Sequence, residues 1–333
     1  MENKKKIIVN GKELVTKYYI DISEELHQKI LNYFYSKPSE KEVRKQIMDV
    51  ILKGSNNYSK IERYFFRDLM YKVKLYHSKW SIEEVLQNKE LLGYFVDKVL
   101  KNSKTFSEDF FENLETIFRI GGKGIATKVT NMPLAEAKKI ITKYNINNNY
   151  YDFSCGWGVR LTASLSLGTN YFGTDPNYLL TERLVKLGNM ILDMYFNLFF
   201  SPIFDIRTQG AEEFVKEWEN KMGLCFSSPP YFGLEDYKIG NQSYKEGMSY
   251  QDWLNNFLYP TIENCFRYNI KGGFLAINIK NYDKYDLEEQ AIKIAKKVGY
   301  KFLTTETLVN LTRIKSTGEL GNSNENIYIF KKE

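Results

Sequence analysis

Between Ile20 and about Phe118, apolar residues recur at three- and four-residue intervals, the period of a helix with one buried face. In SEELHQKILNYFYS, Leu26, Ile30, Leu31 and Phe34 share a face behind Ser23, whose hydroxyl suits an N-cap. Ser39 with Glu42 and Ser81 with Glu84 have capping-box spacing, and Ser107 precedes EDFFENLETIF. These signals predict a helical module over 1–117. RIGGKGIATKVTNMP then breaks the rhythm with Gly121, Gly122 and Gly124, and Met132-Pro133 restarts a helix in PLAEAKKIITKY.

Beyond the Asn-rich turn at 145–149 the period changes. YYDFSC, YFGTD, LCFSS, GFLAINI and NIYIF read as short strands, with VRLTASLSL, LTERLVKLGNMILDMYF and YQDWLNNFLYPTIENCF as helices between them. This alternation predicts an α/β domain over 118–333, with a mainly parallel sheet covered by helices on both faces. Residues 202–206 can add another edge strand.

A chain of 333 residues with 43% hydrophobic content is long enough for two domains with sizeable cores. Its net charge of +6 is unevenly spread: residues 1–150 carry 27 Lys and Arg against 19 Asp and Glu, so the basic excess is N-terminal. A phosphate-contacting module beside a catalytic one shows this asymmetry, and so does a plain solvated surface. Cys155, Cys225 and Cys265 lack the number and spacing of a disulfide framework or a metal site, which suggests a reducing cytoplasm and no structural metal. No apolar run approaches the length of a membrane span and the N-terminus lacks a leader pattern, so a soluble, unprocessed chain is expected.

Two constellations carry chemistry. In the first, a strand ending at Asp152 feeds the turn Phe153-Ser154-Cys155-Gly156-Trp157-Gly158, and a helix follows. Glycines there let backbone amides approach a ligand, and a helix N-terminus favours a negative group. Asp175 closes the next strand about twenty positions on, where a carboxylate can accept from both ribose hydroxyls. The pattern points to a nucleoside cofactor, against the plainer reading of an ordinary strand-to-helix turn. Leu161 breaks the GxGxxG dinucleotide fingerprint, and GGKGIATK at 121–128 lacks P-loop order, so it is read as a flexible basic loop.

The second constellation, Ser228-Pro229-Pro230-Tyr231-Phe232, follows the apolar strand GLCF, at the strand end where open α/β sheets bind ligands. Two prolines fix the backbone and remove two donors, leaving carbonyls free to accept. Ser228 and the Pro229 carbonyl can hold both hydrogens of an amino group with its lone pair turned outward, and Tyr231 can stack on a planar base. Alone, the segment would read as a rigid loop with a packing tyrosine. Its position after the first turn favours the chemical reading.

DFSCGWG, then GTDPN, then SSPPY, in this order, resembles the S-adenosylmethionine-dependent amino-methyltransferases that act on adenine N6 or cytosine N4 of DNA, phage and prophage enzymes among them. The resemblance spans 118–333; within it KVTNMPLAEAKKIITKY looks like the family's cofactor-binding motif X and GGFLAINI like a later core strand. It implies a Rossmann-like class I methyltransferase fold and S-adenosylmethionine as cofactor. Asp152, Phe153, Ser154, Gly156 and Gly158 would line the methionine moiety, and Asp175 with Pro176 the ribose. Glu212 or a neighbour would meet the adenine, and Asn131, Met132 and Pro133 the cofactor's outer edge. Ser228, Pro229, Pro230 and Tyr231 would be the catalytic group. Serine at 228, where adenine enzymes usually carry Asp or Asn, leans the target slightly to cytosine. About seventy residues separate the two motifs, too few for a standard target-recognition insertion, so recognition would fall to the N-terminal module with help from 233–252.

The partner implied is duplex DNA with its target base flipped out, within a restriction-modification or phage setting. An RNA base methyltransferase or a protein-glutamine methyltransferase would use the same core. A cofactor-binding regulator would need a broken SPPY. His27 and His77 read as surface or satisfied helix residues, and Trp253 as core. Glu235, Asp236 and Tyr237 follow the tetrapeptide closely, either meeting the target or forming solvated loop.

Overall fold

The computed structural model describes residues 4–101, 109–121, 124–195, 201–238, 242–314 and 320–333. The chain opens on a hairpin, β1 (Lys5–Val9) and β2 (Lys12–Thr16), which the helical reading did not anticipate. Helices follow: α1 (Glu24–Tyr35), α2 (Glu40–Leu52), α3 (Ser59–Phe65), α4 (Arg67–Lys72), then, after the short β3 (Lys74–Leu75), α5 (Ile82–Gln87), α6 (Lys89–Lys101) and α7 (Phe110–Thr116). Ser23 caps α1 through the Leu26 amide, and Ser39 and Ser81 form complete capping boxes with Glu42 and Glu84. Ser107 lies outside the described residues, and α7 is capped by Asp109. Helix α8 (Leu134–Tyr144) starts behind Pro133 as expected.

The second half alternates strands and helices: β4 (Asn149–Asp152), α9 (Val159–Ser166), β5 (Asn170–Thr174), α10 (Tyr178–Leu192), β6 (Phe204–Arg207), β7 (Met222–Ser227), β8 (Glu235–Asp236), α11 (Tyr250–Trp253), α12 (Tyr259–Tyr268), β9 (Asn269–Asn278), α13 (Leu287–Val298), β10 (Tyr300–Ile314) and β11 (Leu320–Lys332), of which β8, α13 and β10 are not among the elements read from the sequence. One sheet runs in the order β10-β11-β9-β7-β4-β5-β6. Its pairs are parallel from β9 through β6, and β11 is antiparallel to both its neighbours. This is the Rossmann-like sheet expected, with one reversed strand inserted near an edge and β6 on the opposite edge. Strand progression reverses between β4 and β7, so the crevice at their carboxyl ends is the place such sheets bind ligands.

Two apolar cores cover the sheet. One holds Val159, Leu161 and Leu165 of α9 and Leu184 and Leu187 of α10, together with Val43 and Ile47 of α2 and Ile61 and Phe65 of α3. The other places Trp253, Phe257, Ile262 and Ala291 against Tyr151, Cys225 and Leu275, with Trp253 fully buried. A third core, formed by the hairpin with α1, α5, α6 and the residues around Phe118, stands apart from the sheet. His27 belongs to this region, buried with Nε2 2.8 Å from the Leu86 carbonyl oxygen. Among the described residues no helix is long and apolar enough to cross a membrane.

Candidate active site

The turns after β4 and β7 face each other across the switch point, tied by a buried network that the sequence reading missed. Arg160, on the first turn of α9, donates from Nε to Asp152 Oδ2 at 2.9 Å and from Nη2 to Ser227 Oγ at 3.1 Å, and Nη2 also reaches the Ser154 carbonyl. The Tyr171 hydroxyl donates to the same Asp152 oxygen at 3.0 Å, and Ser227 Oγ donates to the Ser154 carbonyl at 3.2 Å. Asp152 has no exposed surface and borders neither cavity described below. Its role is therefore to hold Arg160, which draws the two turns together. An arginine in an otherwise uncharged helix, eight residues after an aspartate, is the sequence signal that could have found it.

The glycines of the turn divide the work. Gly158 has φ +75°, and a Cβ there would meet the Phe66 ring and the Tyr58 hydroxyl at 2.9 Å, so it serves packing against α3 and does not line a cavity. Gly156 opens onto the site: a Cβ there would find nothing nearer than Arg160 Nη2 at 3.6 Å.

Two adjoining cavities meet at Ser154 and Pro230, which line both. The smaller, about 290 Å³, lies beyond β4 to β6 and is bordered by Phe153, Pro176, Gln209, Glu212 and Phe257. Glu212 Oε2 is buried there without a hydrogen-bond partner among the described residues, and burial pushes this carboxyl above its ordinary range. Asp175 directly follows β5, mostly buried and, like Asp152, outside the lining of both cavities, accepting at Oδ1 from the Asn177 amide at 3.0 Å. Burial raises its carboxyl from 3.8 to about 7, the amides of Asn177 and Gly156 pulling the other way.

The larger cavity, about 410 Å³, is lined by Ser228, Pro229 and Tyr231 on one side and Thr130, Asn131 and Met132 on another. Pro133 caps α8 and stays outside it. Tyr231 stacks on Tyr282, ring centres 6.0 Å apart, and burial raises its hydroxyl far above its usual range. Asn131 donates to Glu62 Oε2 at 2.8 Å within a buried ionic cluster in which Lys128 and Arg67 each meet both Glu62 and Glu115. That cluster spends the charge of Lys128 inside the protein, whereas Gly122 and Lys123 of the same basic loop lie outside the described residues.

The cavity roof comes from the N-terminal half. β3 pairs with β8 through Lys74 opposite Asp236 and Leu75 opposite Glu235, and the Tyr76 amide donates to the Leu234 carbonyl at 2.7 Å. Leu75, Glu235 and Tyr237 all line the cavity. YKVKLYHSK is thus the end of α4 and a short strand, with Tyr76 and His77 exposed.

No family model matches the chain, and no curated protein matches it. Solved structures with a similar arrangement include a SAM-dependent methyltransferase from Methanosarcina mazei, at 12% identity and TM-score 0.40 over 58% of this chain and 96% of that one. A TehB-like SAM-dependent methyltransferase from Corynebacterium glutamicum aligns at 13% identity and TM-score 0.38 over 60% of this chain and 87% of that one. The magnesium protoporphyrin IX methyltransferase of Synechocystis, solved with bound SAM, aligns at 11% identity and TM-score 0.37 over 60% and 79%.

Proposed function

We propose that the protein is an S-adenosylmethionine-dependent methyltransferase that modifies an exocyclic amino group of a nucleic-acid base, with DNA as substrate and a slight preference for cytosine N4 over adenine N6. The observation that carries this reading is the junction of the two cavities, where Ser154 of the first turn and Pro230 of the second are shared walls.

The smaller cavity suits the nucleoside end of the cofactor. The unpartnered Glu212 oxygen can accept from an amino group or hydroxyl, and Asp175 stands at the strand end suited to a ribose. Gly156 and Ser154 border the passage to the larger cavity, which suits the methionine end and the acceptor. When bound, the cofactor supplies an electrophilic methyl group. The protein's own residues orient the acceptor: Ser228 Oγ and the Pro229 carbonyl accept the two amino hydrogens, leaving the nitrogen lone pair free, while Tyr231 supports the base plane. The rigidity of the prolines and the Arg160 tie between the turns keep this geometry fixed in advance. The basic excess in residues 1–150 supports a polyanionic partner approaching from the roof side.

The test is transfer of a labelled methyl group to duplex DNA, RNA and protein, followed by digestion and identification of the product. N4-methylcytosine or N6-methyladenine in DNA is the expected result. Label confined to RNA, or to glutamine side chains, would move the substrate and keep the chemistry; no transfer, with no calorimetric binding of S-adenosylhomocysteine, would overturn both.

A further inference from the structure

The larger cavity contains a carboxyl group without a cation. Glu235 faces it from β8, held by pairing with β3, and its side chain accepts from the Tyr237 hydroxyl at Oε2. Among the described residues no Lys, Arg or His is within ion-pairing distance of it. Tyr231 lies in its electrostatic reach; Arg160, which lines the same cavity and is bonded to Asp152, acts with Asp175 on Tyr237. On the ladder itself Lys74 stands opposite Asp236, whose carboxylate pairs with Lys238. Around the cavity, Lys128 is engaged by Glu62 and Glu115, and Arg119 and Glu325 complete the charged lining.

Resting on the function proposed above, we infer that Glu235 is the residue by which the cavity selects an amino-bearing base, donating a hydrogen bond to the ring nitrogen beside the amino-bearing carbon. Adenine N1 and cytosine N3 are acceptors, whereas guanine N1 and thymine N3 carry hydrogens; a neutral carboxyl group donates to the first pair and meets a competing donor on the second. Burial favours the neutral form here, against the opposing pull of the Tyr237 hydroxyl. With Oε2 bonded to Tyr237, Oε1 remains for the base, and the amino group is left to Ser228 and Pro229.

The experiment compares kcat/KM for a duplex oligonucleotide as a function of pH in the intact protein, E235Q and E235A, with S-adenosylhomocysteine affinity measured alongside. The intact enzyme should lose activity about tenfold per pH unit once Glu235 ionises. E235Q, whose amide still donates, should stay within about tenfold of it and lack that alkaline limb. E235A should fall roughly 100-fold, with cofactor-product affinity unchanged in both variants. An alkaline limb retained in E235Q, wild-type activity in E235A, or equal loss in both variants would overturn the assignment. Active wild type with unaffected variants would sink Glu235 alone; wild type that modifies no adenine or cytosine would sink the underlying function, and this inference with it.

Discussion

Arg160 Nε lies 2.9 Å from Asp152 Oδ2, and both side chains are buried. The pair sits between the two turns that build the site, so its integrity governs folding and site geometry together. Removing one member leaves a buried charge uncompensated, which typically costs about 3–5 kcal/mol. Arg160→Met should lower stability by that order in urea unfolding. Adding Asp152→Asn to it should recover part of the loss, and simple additivity of the two single effects would show that the pair does not act as a unit.

Asp175 predicts a pH signature. Its folded value near 7 lies above the 3.8 of an ordinary aspartate, so the native state binds the proton more tightly. The stabilisation is complete below about 4 and is lost as pH rises through about 7, amounting to no more than ~4 kcal/mol. Asp175→Asn should remove this slope from the stability profile. Ribose hydroxyls favour the ionised carboxylate, so S-adenosylhomocysteine binding near pH 6 should release a proton, measured by calorimetry in buffers of different ionisation enthalpy. Proton-neutral binding would take Asp175 out of the site.

Much of this arrangement was legible before any coordinates. Capping serines, the change of period near Asn149 and the two strand-end motifs mark several of the helices, the central strands and both turns, whereas α13 and β10 go unread. The hairpin was missed although Asn10-Gly11 sits between two apolar runs, a strong two-residue turn signal, with φ values of 51° and 71° in the structure. The resemblance assigns Asp152 and Gly158 to the cofactor by their place in the motif. Spacing along the chain does not reveal that Arg160 folds back on one and Phe66 packs against the other, because those contacts are tertiary. The roof over the larger cavity likewise depends on a pairing between residues 74–75 and 235–236 that no local pattern announces.

Glu212 separates stability from binding. Its buried Oε2 has no partner among the described residues, so Glu212→Gln should leave thermal stability equal or higher. The same change should weaken S-adenosylhomocysteine binding by ~1–3 kcal/mol if Glu212 meets the adenine. Equal affinity in calorimetry would point the cofactor elsewhere.

Tyr231→Ala should slow methylation by the equivalent of ~1–3 kcal/mol of lost stacking, with cofactor affinity retained. Because Tyr231 also stacks on Tyr282, Tyr231→Phe is the control: it keeps both faces of the ring and should stay near wild-type activity. A phenylalanine variant as slow as the alanine one would assign the effect to the hydroxyl.

For nucleic-acid affinity, Lys72→Glu and Lys74→Glu test the roof surface. Lys79 is a poorer probe, since its Nζ donates to the Glu13 carbonyl at 2.6 Å and anchors the hairpin. Each reversal should weaken DNA binding and reduce the salt-dependence slope by about one. Affinity indifferent to salt and to both changes would argue for an acceptor other than nucleic acid.

The third apolar core, formed by the hairpin with α1, α5 and α6, is interrupted in the chain by α2 and α3, whose Val43, Ile47, Ile61 and Phe65 are buried with the sheet's own helices. The polypeptide thus leaves the outlying body, joins the layer of helices on the sheet and returns. A cut near residue 118 removes part of the sheet's helical cover as well as the outlying body, so the two cannot be exchanged between proteins by a single crossover in the gene. A chimera that preserved the sheet's packing would have to carry residues 40–73 with it and join the foreign segment at two seams.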